Sequence, residues 1–206
     1  MEMQKNIAKK IVCEDFITES SGCVCGVDVS YKKHNAYCAA LILNHKHEIV
    51  EAAYTKTSVK FPYIPGLFML RESTPIIDTV SALIHPFDVL FVNGHGVLHP
   101  RKCGLASYVG FVLSKPTIGV AKKLHVGTIM STGFVKYDGK ILGSRIHRPY
   151  AKDIFVSIGC FVSLVTAMDI TRKFTKVDEY LPEPLRLADI HSKAFPNYST
   201  GNDQNY

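Results

Sequence analysis

An apolar run, Val89 to Val92 with Phe87 just before it, stops abruptly at Asn93-Gly94-His95-Gly96, and His99-Pro100-Arg101-Lys102 follows at once. Continuous β-branched and apolar residues predict a strand covered on both faces, as in the middle of an α/β sheet. Such folds place their chemistry at the carboxyl ends of the central strands. Glycines there permit close approach of a ligand to the backbone. A Gly-x-Gly pair alone is weak evidence of function. Two His, one Arg and one Lys directly behind it turn the reading from a plain β-to-loop turn toward the rim of an active site.

That strand must sit in a domain large enough to bury it, and 206 residues predict a single domain over 1–195, with 196–206 as a disordered polar tail. No run approaches the roughly 18–20 apolar residues of a membrane span. The opening MEMQKNIAKKI lacks the apolar core of a secretory signal, which predicts a cytoplasmic protein with no membrane contact. A net charge of +6 mildly favours polyanionic partners. The six cysteines contain no Cys-x2-Cys pair, so reduced, mostly buried thiols are expected rather than a zinc ribbon or redox site.

In chain order, a short N-terminal helix precedes strands at 23–30, 36–43 and 47–59, joined by short turns as an antiparallel meander. The segment Phe61-Pro62-Tyr63-Ile64-Pro65-Gly66 is irregular, since each proline removes a donor and restricts its predecessor. A helix over 67–84 follows, kinked or restarted at Pro75, then the strand at 88–92, a helix near 101–114 and a strand at 116–119. Asp138-Gly139 between apolar-alternating runs predicts a hairpin over 133–146. A strand at 154–158, a helix at 161–174, a rigid Leu181–Pro184 connector and a short helix at 185–194 complete the chain. The fold class is therefore α/β, a mixed sheet flanked by helices on both faces. No segment suggests an obligate dimer face, so a monomer is expected.

Asp28 stands inside an apolar strand, where a carboxylate needs a partner or a metal. Glu72 and Asp189 each have an ordinary reading as solvated helix residues. Together with the rim at 93 they could form an all-oxygen site of the kind Mg²⁺ prefers. His45 and His47 read as turn histidines, and His95 as a residue that orders its loop. Arg145, His147 and Arg148 form a basic edge before Tyr150, read equally well as a nucleic-acid track or a solvated turn.

Five motifs carry a resemblance: Gly26-Val27-Asp28-Val29-Ser30; Pro62-Tyr63-Ile64-Pro65-Gly66 with Arg71-Glu72; Val92-Asn93-Gly94-His95-Gly96 with His99-Pro100-Arg101; Pro116 to Lys123; and Leu181 to Pro184 with Arg186 to Asp189. In this order, from about Gly26 to Ala194, the chain closely resembles endonuclease V, a family of inosine- or deoxyinosine-directed nucleases with a ribonuclease-H-like fold. The resemblance implies Mg²⁺ as cofactor, with Mn²⁺ as a substitute, held by Asp28, Glu72, position 93 and Asp189. It implies Lys122 beside the scissile phosphate, His99 in a catalytic or phosphate-contact role, and Arg101 toward the substrate. Pro62, Tyr63, Ile64 and Pro65 would wedge the strand, and a flipped hypoxanthine would enter a pocket walled by Gly66, Gly94, Gly96 and Gly119. The implied reaction is hydrolysis of the second phosphodiester 3′ to inosine in single-stranded DNA or RNA, or in duplex DNA, leaving 5′-phosphate and 3′-hydroxyl ends.

Position 93 departs from the family, which has Asp where this chain has Asn93. The amide keeps the shape and removes a negative charge, so weaker metal binding and poor cleavage are expected. Either a substitution made to trap a substrate complex or a naturally weak enzyme would account for it, and the intact remainder of the motifs favours the first. A reader of inosine that does not cut is the alternative function. Another ribonuclease-H-like nuclease is the third, against which the Pro-Tyr-Ile-Pro wedge argues.

Overall fold

The computed structural model describes residues 2–16, 21–59, 68–148 and 152–198. The expected wedge, Pro62 to Gly66, and Tyr150 lie outside these residues. Helix α1 (Glu2–Ala8) precedes the meander of β1 (Val24–Lys32), β2 (Asn35–Leu43) and β3 (Ile49–Ser58). Helix α2 (Phe68–Ser81), β4 (Val89–Asn93), α3 (Leu105–Leu113) and β5 (Thr117–Ala121) follow. Then come β6 (Thr128–Ile129), β7 (Phe134–Tyr137), β8 (Lys140–Ile146), β9 (Ile154–Cys160), α4 (Leu164–Lys173) and α5 (Glu183–Tyr198).

Among the described residues, nine strands form one sheet, in the order β3-β2-β1-β4-β5-β9-β8-β7-β6. The centre, β1-β4-β5, is parallel, and the remaining pairs are antiparallel. Period-2 alternation sorts side chains to the two faces. Val24, Ala39, Leu41, Val89, Phe91, Ile118 and Val120 face α4 and α5, against Ala167, Phe174, Leu185 and Ala188. Cys25, Val27, Cys38, Ala40, Leu90 and Val92 face α2 and α3, against Met69, Ile76, Leu105 and Val109. The mixed sheet with helices on both faces is as the sequence predicts.

Three details differ from that expectation. Pro75 neither restarts nor ends the helix, since α2 runs through it as one element. The connector at Leu181–Pro184 is already helical from Glu183, because proline is tolerated in a first turn, where the N–H groups lack partners anyway. At its other end α5 extends to Tyr198, past the expected helix end at 194. The ring of Phe195 packs edge-on against Tyr37 and tilted against Tyr54, which anchors this last stretch. The Asp138-Gly139 turn forms as predicted, with φ of 49° and 73°, the positive pair a type I′ hairpin requires. Among the described residues no helix is long and apolar enough to cross a membrane, and the six cysteines are free thiols.

Candidate active site

The same alternation that builds the core delivers polar residues to one place. Val27 pairs with Val92 and Asn93 with Val120, so the carboxyl ends of β1, β4 and β5 lie side by side. Counting by twos from Val24, Phe91 and Val120, the side chains of Asp28, Asn93 and Lys122 emerge on the α5 face of these adjacent strands. Asn93 Nδ2 donates to Asp28 Oδ1 at 3.2 Å.

Helix α5 crosses β1 on this face and is fitted to it at three levels. At Gly26 a Cβ would lie 2.2 Å from the Pro184 carbonyl oxygen, so only glycine admits the first turn of the helix. At the far end Ser30 Oγ donates to the Ser192 carbonyl at 2.6 Å. Between them the carboxyl of Asp28 meets that of Asp189 within hydrogen-bonding reach. Asp28 is 7% exposed. Burial foremost, then the hydrogen bond and charge of Asp189, hold its pKa well above the ordinary carboxylate range, while the Asn93 amide pulls the other way. Asp189 also pairs with Lys193 at 2.6 Å.

Glu72 arrives from the opposite face, on α2. It is buried, not the exposed helix residue its sequence context allows. Tyr31, whose side chain turns toward α2, donates its hydroxyl to Glu72 Oε1 at 3.0 Å, and Arg71 lies 4.2 Å over the same tyrosine ring. Burial pushes Glu72 up to about 8, with the Asp28 charge adding to the rise.

A cavity of about 290 Å³ opens beside this cluster. Asn93, Gly94, His95, His99, Lys122, Lys123 and His125 line it, with Gln4, Met69 and Leu105 among the other walls. His95 bonds the Lys123 carbonyl through Nε2 at 2.9 Å, which ties two cavity loops together, and its ring lies 4.6 Å from that of His125. His99 Nδ1 accepts the Arg101 backbone N–H at 3.2 Å, leaving the proton of the neutral ring on Nε2. Burial pushes both His95 and His99 down to about 4, so both are neutral at pH 7. Arg101 Nε donates to Gln4 Oε1 at 2.6 Å. Lys122 Nζ sits 5.6 Å above the Tyr180 ring.

The structure thus brings together Asp28, Asn93 and Asp189, with Glu72 near enough for the Asp28 charge to act on it and with Lys122, His99 and Gly94 at the cavity. Gly96 and Gly119 stand behind the wall. A Cβ on Gly96 would lie within 2.5 Å of the Ile158 carbonyl carbon, and one on Gly119 would lie 2.6 Å from Gly94 O. These two glycines let β4, β5 and β9 approach one another. Gly66 lies outside the described residues. Among the described residues no set of three or more His, Cys, Asp and Glu side chains closes around a single point. Tyr31, Tyr180, His125 and Gln4 were not legible from sequence. Tyr31 alone carried a signal, since it continues a strand with Asp28 and points to the face α2 covers.

The chain matches the Endonuclease V family over residues 5–190. Endonuclease V of Thermofilum pendens is 42% identical over 205 residues, covering 97% of this chain and 87% of the relative. The crystal structure of the Bacillus subtilis endonuclease V superposes with a TM-score of 0.85 at 26% identity, covering 98% of this chain and 92% of that one. That of Ciona intestinalis endonuclease V, in complex with a 24mer DNA containing an inosine followed by a ribo-adenosine, gives 0.83 at 28% identity over 96% of both chains. These likenesses make the fold ribonuclease-H-like, and the chain a member of the endonuclease V family of nucleases.

Proposed function

We propose that this chain recognises inosine in single-stranded DNA or RNA and hydrolyses the second phosphodiester 3′ to it, leaving 5′-phosphate and 3′-hydroxyl ends. The observation that carries the reading is the meeting of Asp28, Asn93 and Asp189 at the ends of the central strands, beside a base-sized cavity lined in part by Lys122. A volume near 290 Å³ stands at the small end of ligand pockets, about 300–1,000 Å³, and suits one base. The complex of the Ciona relative with inosine-containing DNA supports the same substrate class.

The donor set fits a hard divalent cation such as Mg²⁺ or Mn²⁺. Asp28 is buried with its carboxyl against that of the half-buried Asp189 and has its pKa raised, an arrangement that a bound cation would relieve. Asp28, Asp189, Glu72 and the Asn93 carbonyl would hold the ion, which would supply charge for the attacking and leaving oxygens. Lys122 contributes a compact positive charge toward the phosphate. His99, neutral with its proton on Nε2, offers a donor rather than a base. The Asn93 amide N–H occupies an Asp28 oxygen that a cation would need, which supports weak metal binding and slow cleavage in this chain. The same reading carries a single domain over 1–195 and a cytoplasmic monomer.

The test uses labelled single-stranded DNA and RNA, each with one inosine, incubated with this chain and with Asn93→Asp, with and without Mg²⁺. The variant is expected to cut at least tenfold faster, one nucleotide beyond the inosine's own 3′ bond. Tight inosine-dependent binding without a cut in either protein would make the chain a reader. Cleavage indifferent to inosine would overturn the substrate assignment.

A further inference from the structure

The basic edge after β8 is the feature the site above leaves unexplained. In the sheet, Ala121 pairs with Phe155 and Ile146 with Ile154, so the ends of β5 and β8 flank the start of β9. Two strand spacings, about 10 Å, separate the Lys122 position from Ile146. Arg148 follows two residues later and turns to the same face as Lys122. Its guanidinium Nη2 donates to the Lys176 carbonyl at 2.6 Å, in the segment between α4 and α5 that also carries Tyr180 against Lys122.

Arg148 is 92% buried, being 8% exposed, and its Nη1 has no hydrogen-bond partner among the described residues. Neighbouring cations are neutralised locally. Arg145 and His147 share Asp153, and Lys176 and Arg186 share Glu183. Among the described residues no carboxylate lies within ion-pair distance of Arg148, although Glu179 is near enough to favour its charge. A buried guanidinium held by one carbonyl, with an unfilled donor, is costly unless an anion completes it. The fork geometry suits a phosphate.

We propose that Arg148 is a phosphate-binding residue for the substrate backbone, seating a phosphate on the Lys122 side of the catalytic carboxylates, a few nucleotides from the cut. Nη1 is shielded from bulk water in the free protein, so seating the phosphate opens a local contact as well as making one. The proposal rests on nucleic acid being the substrate, but not on inosine being the base.

The test measures binding of a labelled single strand with one inosine, and of its adenosine counterpart, in EDTA and across a salt series. Arg148→Gln is expected to weaken both strands by the same factor, about tenfold, and to flatten the slope of log affinity against log salt by about 0.7, one phosphate contact on a single strand. Arg148→Lys keeps the slope and loses about threefold, since it lacks the fork. Replacing one backbone phosphate by a neutral methylphosphonate should weaken the parent and leave Arg148→Gln unaffected, which identifies the phosphate. An unchanged slope in Arg148→Gln, with or without a lower melting temperature, would overturn the proposal and leave the guanidinium as a clip for the connector. A loss confined to the inosine strand would also overturn it. If Arg148→Gln does not fold, the same phosphate scan on Arg148→Lys decides, the absence of any sensitive phosphate being the refuting result. Equal parent affinity for the two strands would count against inosine recognition alone.

Discussion

Gly26→Ala tests whether the β1–α5 seam builds the active site. A Cβ at Gly26 would stand 2.2 Å from Pro184 O, 2.3 Å from Pro184 C and 2.6 Å from Pro184 Cβ. Ordinary contact begins near 3.4 Å, so the first turn of α5 must retreat by roughly 1 Å or β1 must bend. The obstacle is backbone, already fixed by a proline ring, and cannot rotate away. Overpacking of this kind costs about 1–3 kcal/mol, and the upper end applies here. For a chain of this size that lowers the melting temperature by about 6–12 °C. The functional loss should be larger, because the displaced helix carries Asp189 away from Asp28, and a misplacement of about 1 Å can reduce turnover about a hundredfold. Circular-dichroism melts and inosine-strand cleavage, both in the Asn93→Asp background, measure the two effects. Gly94→Ala is the comparison, since its Cβ would meet only the side chain of Leu105 at 3.3 Å and should cost little stability. A Gly26→Ala protein that melts within about 2 °C of its parent and cuts within about twofold of it would refute the reasoning.

Glu183, its side chain 4% exposed between Lys176 and Arg186, has its pKa lowered from 4.5 to about 2, chiefly by the Arg186 hydrogen bonds. Because the folded value is the lower one, the stabilisation is complete above about pH 4.5 and disappears as pH falls toward 2. Glu183→Gln should therefore lose about 2–3 kcal/mol at pH 7, and its urea-unfolding curve should merge with the parent's near pH 2; a gap that stays constant with pH would refute the assignment. Tyr180→Leu removes the ring beneath Lys122 and should slow turnover about threefold to tenfold with KM nearly unchanged. Tyr180→Phe, which keeps the ring, should retain the parent rate, and equal losses in both variants would exclude the cation–ring contact.

Much of the fold was legible because its rules are local. The buried run at Val89–Val92, the Asp138-Gly139 turn and the one-face spacing of α2 and α4 all formed. The insertion of β9 beside β5 was not legible, because strand pairing across distant sequence leaves no local mark. Residues 128–129 form a strand only because β7 lies beside them. In the site, Asp28 stood out as a carboxylate in an apolar strand. Glu72 and Asp189 became significant only through the family motifs, since burial by α2 and the crossing of α5 are tertiary facts. Tyr180 and Gln4 reach the site from segments with no chemical signature of their own. Gly96 and Gly119, expected as pocket walls, are also glycines that the sheet needs for its own packing, which no local pattern announces.

The seam between β1 and α5 also bears on when the enzyme can exist. Ser30 and Ser192 touch across 162 residues of sequence, and the Asp28–Asp189 meeting lies between that contact and the one at Gly26. Synthesis proceeds from the amino end, so the sheet strands leave the ribosome well before the helix that completes the site. Until α5 docks, Asp28 has no Asp189 opposite it, and the nascent chain carries strands without a catalytic cluster. If Asp28 and Asp189 act as proposed, a nuclease made beside messenger RNA would be silent until α5 docks, and competence would arrive with the last helix rather than with the first residues of the motif.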